Sequence, residues 1–169
     1  MQIPRRKSEQ ESRAKRTTDH YLTPEAVERL RRTLDDLVHR QRPLAAEETR
    51  RMADMGDRSE NAGYTSAKAM LTRINNRIVS IEERLKHAIV IERGADRDGC
   101  VRIGSMVVVS IDGRERTFEV LGSQEVSPGR GRISYRSPLG AALIGHRVGD
   151  CVTITVSEKE KMYRIVRIS

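Results

Sequence analysis

The chain is poor in the residues that build aromatic cores, disulfide frameworks and metal centres. Its 169 residues include no Trp, 3% aromatic residues and two Cys. Few aromatics predict a core made mainly of Leu, Ile, Val and Met. Two cysteines without CxxC spacing are too few for a disulfide framework, so we expect reduced, packed thiols. The four histidines are scattered, and no phosphate-binding glycine loop is present.

Long apolar runs are also missing. None approaches the roughly 18 residues of a membrane-spanning helix, and the first residues lack the apolar segment of a secretory signal. We therefore expect a cytoplasmic protein. The formal net charge of +8 favours a polyanionic partner. The basic excess is spread along the chain, unlike the concentrated stripe of a dedicated DNA-binding protein.

Two amphipathic segments follow a polar N-terminus. Residues 1–19 have almost no apolar side chains, so we expect a disordered basic tail. A helix is predicted to begin at Pro24 with Thr23 as its N-cap, and Pro43 predicts a kink or short break within it. Its apolar seam, with one polar interruption, is Val27, Leu30, Leu34, Leu37, Gln41 and Leu44, continuing weakly at Met52 and Met55.

The second segment keeps a regular heptad spacing. Its seam positions are Tyr64, Ala67, Leu71, Ile74, Ile78, Ile81, Leu85 and Ala88. Two such seams joined by a short Gly-containing turn predict an antiparallel coiled-coil hairpin over residues 20–91. Each arm has about 30 residues, which corresponds to about 45 Å of helix.

From residue 92 the pattern changes to short β-rich runs between glycines. The predicted strands are Val101–Ile111, Arg116–Leu121, Arg132–Tyr135, Cys151–Val156 and Tyr163–Ile168. Asp112-Gly113 predicts a hairpin turn, and Ser137-Pro138 predicts the start of one short helix that Gly145 ends. Residues 92–169 are therefore predicted to form a small, mainly antiparallel sheet domain with one helix, which makes the fold class α+β.

Two carboxylates, Asp57 and Glu60, lie where the hairpin turns. An Asp-x-x-Glu sequence before an apolar helical pattern is typical of a capping box. Alternatively, the two carboxylates share one Mg²⁺, which commonly takes one or two protein carboxylates with water and phosphate oxygens. Such a pair binds metal weakly unless it docks into a site that already holds phosphates and a first metal.

The start of the second helix is basic. No acidic residue lies between Asn61 and Ile81, whereas Lys68, Arg73 and Arg77 do. This stretch is able to follow a nucleic-acid backbone. The alternative is a solvated helix face without a partner.

The tip sequence GDRSENAGY resembles that of the bacterial transcript cleavage factors GreA and GreB, and GDRSENA is closer to GreB. The resemblance covers most of residues 21–169 and includes Ser137-Pro138-Leu139-Gly140 and Val148-Gly149-Asp150. It implies a coiled-coil hairpin followed by an FKBP-like domain, residues 92–169. That domain docks on RNA polymerase, and we expect Ser137, Pro138, Leu139 and Gly140 to carry the contact.

The resemblance also implies a mechanism. The hairpin enters the secondary channel of RNA polymerase, where Asp57 and Glu60 bind a catalytic Mg²⁺ and stimulate cleavage of backtracked RNA near its 3′ end. The factor itself is then not an enzyme, has no cofactor of its own and is expected to be a monomer.

An FKBP-like fold also raises prolyl isomerisation as an activity. The aromatic residues of residues 92–169 are Phe118, Tyr135 and Tyr163, which are too few for the proline pocket of an isomerase.

Three features depart from the family pattern. Gly63 stands where the family usually has Glu or Asp, Arg136 stands where GreB-like proteins can have an acidic residue, and residues 1–19 are an addition. Gly63 and Arg136 leave open a non-catalytic regulator that obstructs the secondary channel. A second alternative is a helical-hairpin adaptor unrelated to transcription, in which Asp57 and Glu60 form only a capping box.

Overall fold

The computed structural model describes residues 19–55, 61–94, 98–156 and 159–169. These residues form two compact units, Leu22–Ile91 and a second made of residues 19–21 with 92–169. The first is a helical hairpin and the second a small sheet with one helix, which confirms the α+β fold class. The tail before Asp19 and the pair Asp57 and Glu60 lie outside the described residues.

The helical unit has two arms between two very short strands. Its elements are β1 (Tyr21–Leu22), α1 (Pro24–Asp36), a π-helical turn (Leu37–Gln41), α2 (Arg42–Asp54), α3 (Ala62–Lys86) and β2 (Ile89–Val90). Thr23 caps α1 as predicted, because its Oγ1 accepts a hydrogen bond from Ala26 N at 3.2 Å. At the base of the hairpin, Ile91 N donates to Leu22 O at 2.9 Å.

The predicted interruption near Pro43 is the π-helical turn just before it. Arg42 N bonds to Leu37 O, five residues earlier. The wider turn gives room where the Pro43 ring approaches the carbonyl of residue 39. Gln41, the polar residue of the seam, donates through its amide to Asp36, which also accepts from Arg40. The hydrogen bond from Arg40, with that from Gln41, lowers the pKa of Asp36 below its usual range.

The π-helical turn also corrects the predicted seam. It inserts one residue, and one residue rotates the following helix by about 100°. Ala45, not Leu44, therefore packs against the core of the hairpin. Leu44 is 66% exposed and Met55 71% exposed, so neither belongs to the seam, whereas Met52 is half-buried.

The second arm has no such interruption. Every predicted seam position of α3 is buried or half-buried. The core of this unit consists of Leu22, Ala26, Leu30, Leu37, Ile74, Ile78 and Ile81. This apolar stripe is narrow, because two helices have no further layer against which to bury apolar surface.

The sheet unit contains five strands and one short helix. Its elements are β3 (Met106–Ile111), β4 (Arg114–Leu121), β5 (Arg132–Ser134), α4 (Pro138–Leu143), β6 (Cys151–Val156) and β7 (Lys159–Ile168). The strand order is β5-β4-β3-β7-β6. Three pairs are antiparallel as predicted, but β5 pairs parallel with β4, so the sheet is mixed. This sheet with one helix agrees with the FKBP-like fold that the resemblance implies.

A local signal placed the turn between β3 and β4 correctly. Asp112 and Gly113 both have positive φ, 49° and 76°, as the tight turn between β3 and β4 requires. The core lies on one face of the sheet and includes Leu143 of α4. Its buried residues are Val101, Val107, Val109, Val120, Leu143, Val152, Ile154, Tyr163 and Ile165. The expectation of two packed thiols was wrong for Cys151, which is exposed, while Cys100 is half-buried.

Residues 19–21 pack on the sheet unit, which corrects the predicted end of the tail. Asp19 is buried, and its carboxylate accepts hydrogen bonds from the backbone N and the hydroxyl of Ser123. Gly122 permits this approach, because a Cβ there would lie 2.3 Å from Tyr21 O. Within the described ranges, no helix has the length and apolar content needed to cross a membrane.

Candidate functional site

The side chain of Asn61 joins the two arms beside the tip of the hairpin. Its Oδ1 accepts from Tyr64 N at 3.0 Å, and its Nδ2 donates to Met52 O at 2.9 Å. The first bond caps α3, and the second connects α3 to α2. One side chain therefore fixes the positions of the two helix ends that residues 56–60 connect.

This arrangement corrects the capping-box interpretation of the tip. The helix starts at Ala62 with Asn61 as its N-cap, so the amide that a cap side chain must satisfy belongs to Tyr64. Asn61 already satisfies that amide, so Asn61 and not Asp57 is the N-cap of α3. Both carboxylates lie outside the described residues.

Gly63 allows the arms to approach each other at the tip. A Cβ at this position would lie 3.1 Å from Asn61 Oδ1 and 3.1 Å from Met52 Sδ. Both distances are shorter than ordinary van der Waals contact, so a larger residue requires the Met52 side chain to move. The family pattern marks Gly63 only as a missing charge, whereas the structure gives it a packing role.

The three predicted basic residues do not share one face of α3. Lys68, Arg73 and Arg77 are all exposed. Since successive residues of an α-helix are about 100° apart, Arg73 and Arg77 lie within about 40° of each other, and Lys68 is about 140° from Arg73. Lys68 Nζ instead lies 5.9 Å from the ring centroid of Tyr64.

An open groove runs along α3 from the tip to Arg73. The residues that line it are Asn61, Ala62, Thr65, Ser66, Ala69, Met70 and Arg73, and most of these side chains are small. Small side chains give an extended chain close access to the helix surface. Arg73 ends this groove, and Arg77 continues the same face by one further turn.

Ser137 and Gly140 shape the corner before α4. Ser137 Oγ donates to Ser134 O at 2.7 Å and accepts from Gly140 N at 3.1 Å, which makes it the N-cap of the helix. Gly140 is buried, and a Cβ there would lie 2.1 Å from Ser134 O. These two residues hold the corner, and neither presents a side chain for a partner to contact freely.

Pro138 and Arg136 are the exposed side chains of this corner, while Leu139 packs half-buried against the core. The Arg136 guanidinium lies 5.4 Å from the ring centroid of Tyr135, and its Nε donates to the Tyr135 hydroxyl at 2.8 Å. This hydrogen bond raises the pKa of Arg136. Tyr135 in turn packs edge-to-face with Tyr21 at 5.6 Å. Sequence reasoning did not identify this aromatic support.

The described part of the chain contains no group of three or more His, Cys, Asp and Glu side chains that could hold a metal ion. The two carboxylates predicted to bind Mg²⁺ lie in the undescribed segment 56–60. Carboxylate oxygens are the donors that Mg²⁺ prefers, so the chemistry of the pair suits that ion.

Comparisons with known proteins agree with the resemblance of the tip and corner motifs. Residues 20–90 match the family described as transcription elongation factor, N-terminal, and residues 96–169 match transcription elongation factor, GreA/GreB, C-term. The transcription elongation factor GreA of Thermomicrobium roseum is 40% identical over 148 residues, which cover 87% of this chain and 95% of that protein.

The transcription elongation factor GreA of Treponema pallidum is 33% identical over 150 residues, covering 88% of this chain and 93% of that protein. Among solved structures, GreA factor homolog 1 of Thermus thermophilus is 28% identical, with 88% of this chain and 97% of that chain covered and a TM-score of 0.39. Both parts of the chain match in order and nearly to full length. The chain therefore belongs to the GreA/GreB family of transcription elongation factors.

Proposed function

We propose that this chain binds RNA polymerase and stimulates the polymerase's own cleavage of backtracked RNA. The observation that carries the proposal is the cap of α3. Because Asn61 caps the helix and bonds to Met52, the carboxylates of Asp57 and Glu60 are not needed for capping. Two acidic residues between the arms of a long hairpin, neither of them the N-cap of α3, are suited to act on a partner.

Asp57 and Glu60 are the residues that would hold a Mg²⁺ of the polymerase active site. The ion supplies Lewis-acid activation of water and of a phosphoryl oxygen. The chain contributes two carboxylate ligands and the polymerase contributes the remaining site, so the chain is not an enzyme by itself and needs no resident cofactor. This division agrees with the weak binding expected of two carboxylates alone.

The hairpin would deliver these carboxylates through the secondary channel. The first arm has 31 residues from Pro24 to Asp54 and α3 has 25, which correspond to about 45 Å and 38 Å of helix. Arg73 and Arg77 would contact the RNA backbone near its 3′ end, with the RNA lying in the groove of small side chains on α3. Lys68 faces another direction and is not part of this contact.

The sheet unit would dock on the polymerase through the corner before α4. Pro138 and Arg136 provide the exposed contact surface, while Ser137, Leu139 and Gly140 hold it in shape. We propose that the factor acts as a monomer in the cytoplasm, where its partner works. The match to the family removes the adaptor unrelated to transcription from consideration.

The deciding experiment is incubation of the full-length chain with a stalled, backtracked elongation complex carrying 5′-labelled RNA. We expect the RNA to be shortened only when both the factor and Mg²⁺ are present, followed by renewed elongation. A factor that binds the complex and inhibits elongation without shortening RNA, even at saturation, would instead be an obstructing regulator of the channel.

A further inference from the structure

A basic pocket opens on the core-facing side of the sheet, near the turn at Asp112 and Gly113. Its volume is about 380 Å³, which is within the range of small-ligand and side-chain pockets. Seven residues line it. Three are cations, one is a carboxylate and three are apolar or aromatic: Arg114, Arg116 and Lys161, then Asp112, then Ile111, Phe118 and Tyr163. We refer to these seven residues as the basic pocket.

The strand register places the cations on the same face as the core. Arg116 pairs with Val109 across β3 and β4, and Lys161 pairs with Ile154 across β6 and β7. Val109 and Ile154 are buried core residues. Directly paired residues lie on the same face of a sheet, so the cations occupy positions that are apolar farther along each strand.

The cations of the pocket stay in excess within the part of the chain that the structure describes. Arg114, Arg116 and Lys161 make no ion pair there, and Asp112 is the only acidic residue that lines the pocket. By contrast, Arg93 and Arg132 of the same unit both pair with Glu119, at 3.7 and 2.8 Å. Three positive charges around one cavity are complementary to an acidic ligand.

The floor of the pocket selects among acidic ligands. Tyr163 is only 8% exposed and Phe118 is half-buried within the core. Tyr163 therefore has no open face on which a nucleic-acid base stacks, and the packing of Phe118 against the core covers part of its ring. An apolar floor beneath guanidinium groups is instead suited to a peptide that places an apolar side chain on the floor and carboxylates on the rim, where Arg binds them in bidentate geometry.

We propose that the basic pocket binds an acidic segment of RNA polymerase that also carries an apolar side chain, as a contact separate from the corner at Pro138. The identity of the partner rests on the proposed function. The ligand chemistry does not, because it follows from the lining of the pocket.

The first test compares two charge reversals in the full-length chain. Arg114→Glu with Arg116→Glu changes the pocket, and Arg164→Glu with Arg167→Glu makes the same charge change on the opposite face of the sheet, where Arg164 pairs with Ser110 and Arg167 with Val108. All four side chains are exposed, so both variants are expected to fold, which circular dichroism checks. We expect the pocket variant to lose at least about tenfold in affinity for core polymerase, and the control to stay within about twofold.

Equal losses of affinity in both variants would show that the effect comes from overall charge. An unchanged affinity of the pocket variant would show that the pocket is not part of the interface. Either result overturns the proposal. If the wild-type chain does not bind polymerase at all, the proposed function fails, and the second test then decides the ligand chemistry independently.

The second test is an NMR titration of the labelled full-length chain with the peptide acetyl-Leu-Glu-Asp-Leu-Glu-amide. We expect chemical-shift changes at Phe118 and Tyr163. They should be absent with a peptide in which Gln and Asn replace Glu and Asp, and absent in the pocket variant. Binding of a uridine oligonucleotide instead of the acidic peptide would overturn the assignment of the ligand, and no shift with any of these probes would overturn the pocket as a binding site.

Discussion

Asn61 Nδ2, at the N-cap of α3, donates a hydrogen bond to the backbone carbonyl of Met52 on α2, at 2.9 Å. The same side chain caps α3 by accepting from Tyr64 N. Because Asn61 is the N-cap of α3, Asp57 is not the N-cap of this helix. The bond to Met52 also connects the ends of the two arms. It also makes the tip sensitive to substitutions at Asn61 itself and at Gly63, which lies against both side chains.

Substitutions at Asn61 separate the cap from the bond between the arms. Asn61→Asp keeps an acceptor for Tyr64 N but sets a carboxylate oxygen against Met52 O, whereas Asn61→Ala removes both interactions. We expect Asn61→Ala to cost about 1–2 kcal/mol of stability and Asn61→Asp to cost less while still lowering cleavage. Thermal unfolding and hydrogen exchange at Tyr64 measure the difference. Identical losses in both variants would mean that the cap contributes nothing, and an unchanged stability of Asn61→Asp would mean that the bond to Met52 contributes nothing.

Asp57→Ala and Glu60→Ala are each expected to abolish stimulated cleavage while polymerase binding is retained, because the proposed role of both carboxylates is to bind metal. The melting temperature should stay unchanged, since Asn61 supplies the cap. Asp54→Ala, which removes an exposed carboxylate from the end of α2, is the matched control and should cleave normally. A loss of about 0.5–2 kcal/mol in stability, with cleavage retained in the folded fraction, would contradict the mechanism.

The effects of substitutions at Gly63 and Met52 on the free energy of unfolding should be coupled. A Cβ at position 63 approaches Met52 Sδ to 3.1 Å, while replacing a helical Gly by Ala otherwise stabilises by up to about 1 kcal/mol. We therefore expect Gly63→Ala to gain more stability in a Met52→Ala background than in the wild-type chain. Urea unfolding of the four proteins of this double-mutant cycle gives the coupling energy. Strict additivity would show that Met52 moves aside without cost.

Arg73 and Arg77 are expected to contact RNA together. Replacing both with Ala should weaken action on long backtracked RNA and flatten the slope of log affinity against log salt by about 1.4, from two lost phosphate contacts at about 0.7 each. Lys68→Ala, on another face of α3, should change the slope by less than half as much. The measurement is half-maximal cleavage across a salt series. A change in slope for Lys68→Ala that equals half the change of the double variant would indicate general electrostatic attraction.

Two substitutions at the corner before α4 should separate residues that hold its shape from residues that contact the polymerase. Gly140→Ala puts a Cβ 2.1 Å from Ser134 O, so we expect it to destabilise the sheet unit by about 1–3 kcal/mol. Pro138→Ala, at an exposed position, should leave the melting temperature nearly unchanged and weaken polymerase binding. Calorimetry and a binding titration measure the two effects. Normal stability of Gly140→Ala would show that the corner relaxes freely.

Local sequence signals predicted the elements that local physics determines. The seam of α3, the Thr23 cap, the Asp112-Gly113 turn and the start of α4 at Ser137-Pro138 depend on residues within a few positions of one another. The family matches confirm the relation to GreA and GreB. The two curated relatives compared with this chain are GreA proteins, so the closer match of the tip to GreB stays a prediction.

The remaining features depend on contacts that no local pattern contains. The π-helical turn before Pro43 shifted the seam from Leu44 to Ala45, because one inserted residue rotates everything that follows it. Asp19 looked like part of a polar tail, yet it bonds to Ser123 more than a hundred residues later. The parallel pairing of β5 likewise depends on how the chain returns to β4.

Apolar spacing and the order of motifs along the chain were enough to predict the α+β class, the hairpin, the family and the two carboxylates between its arms. The cap of α3 by Asn61, the room that Gly63 leaves for Met52 and the separation of Arg73 and Arg77 from Lys68 followed only from the folded arrangement, because each depends on the exact start or rotation of a helix. The basic pocket also emerged only from folding. Its cations come from two strands that β3 separates, and only the strand order β4-β3-β7 brings their charges together.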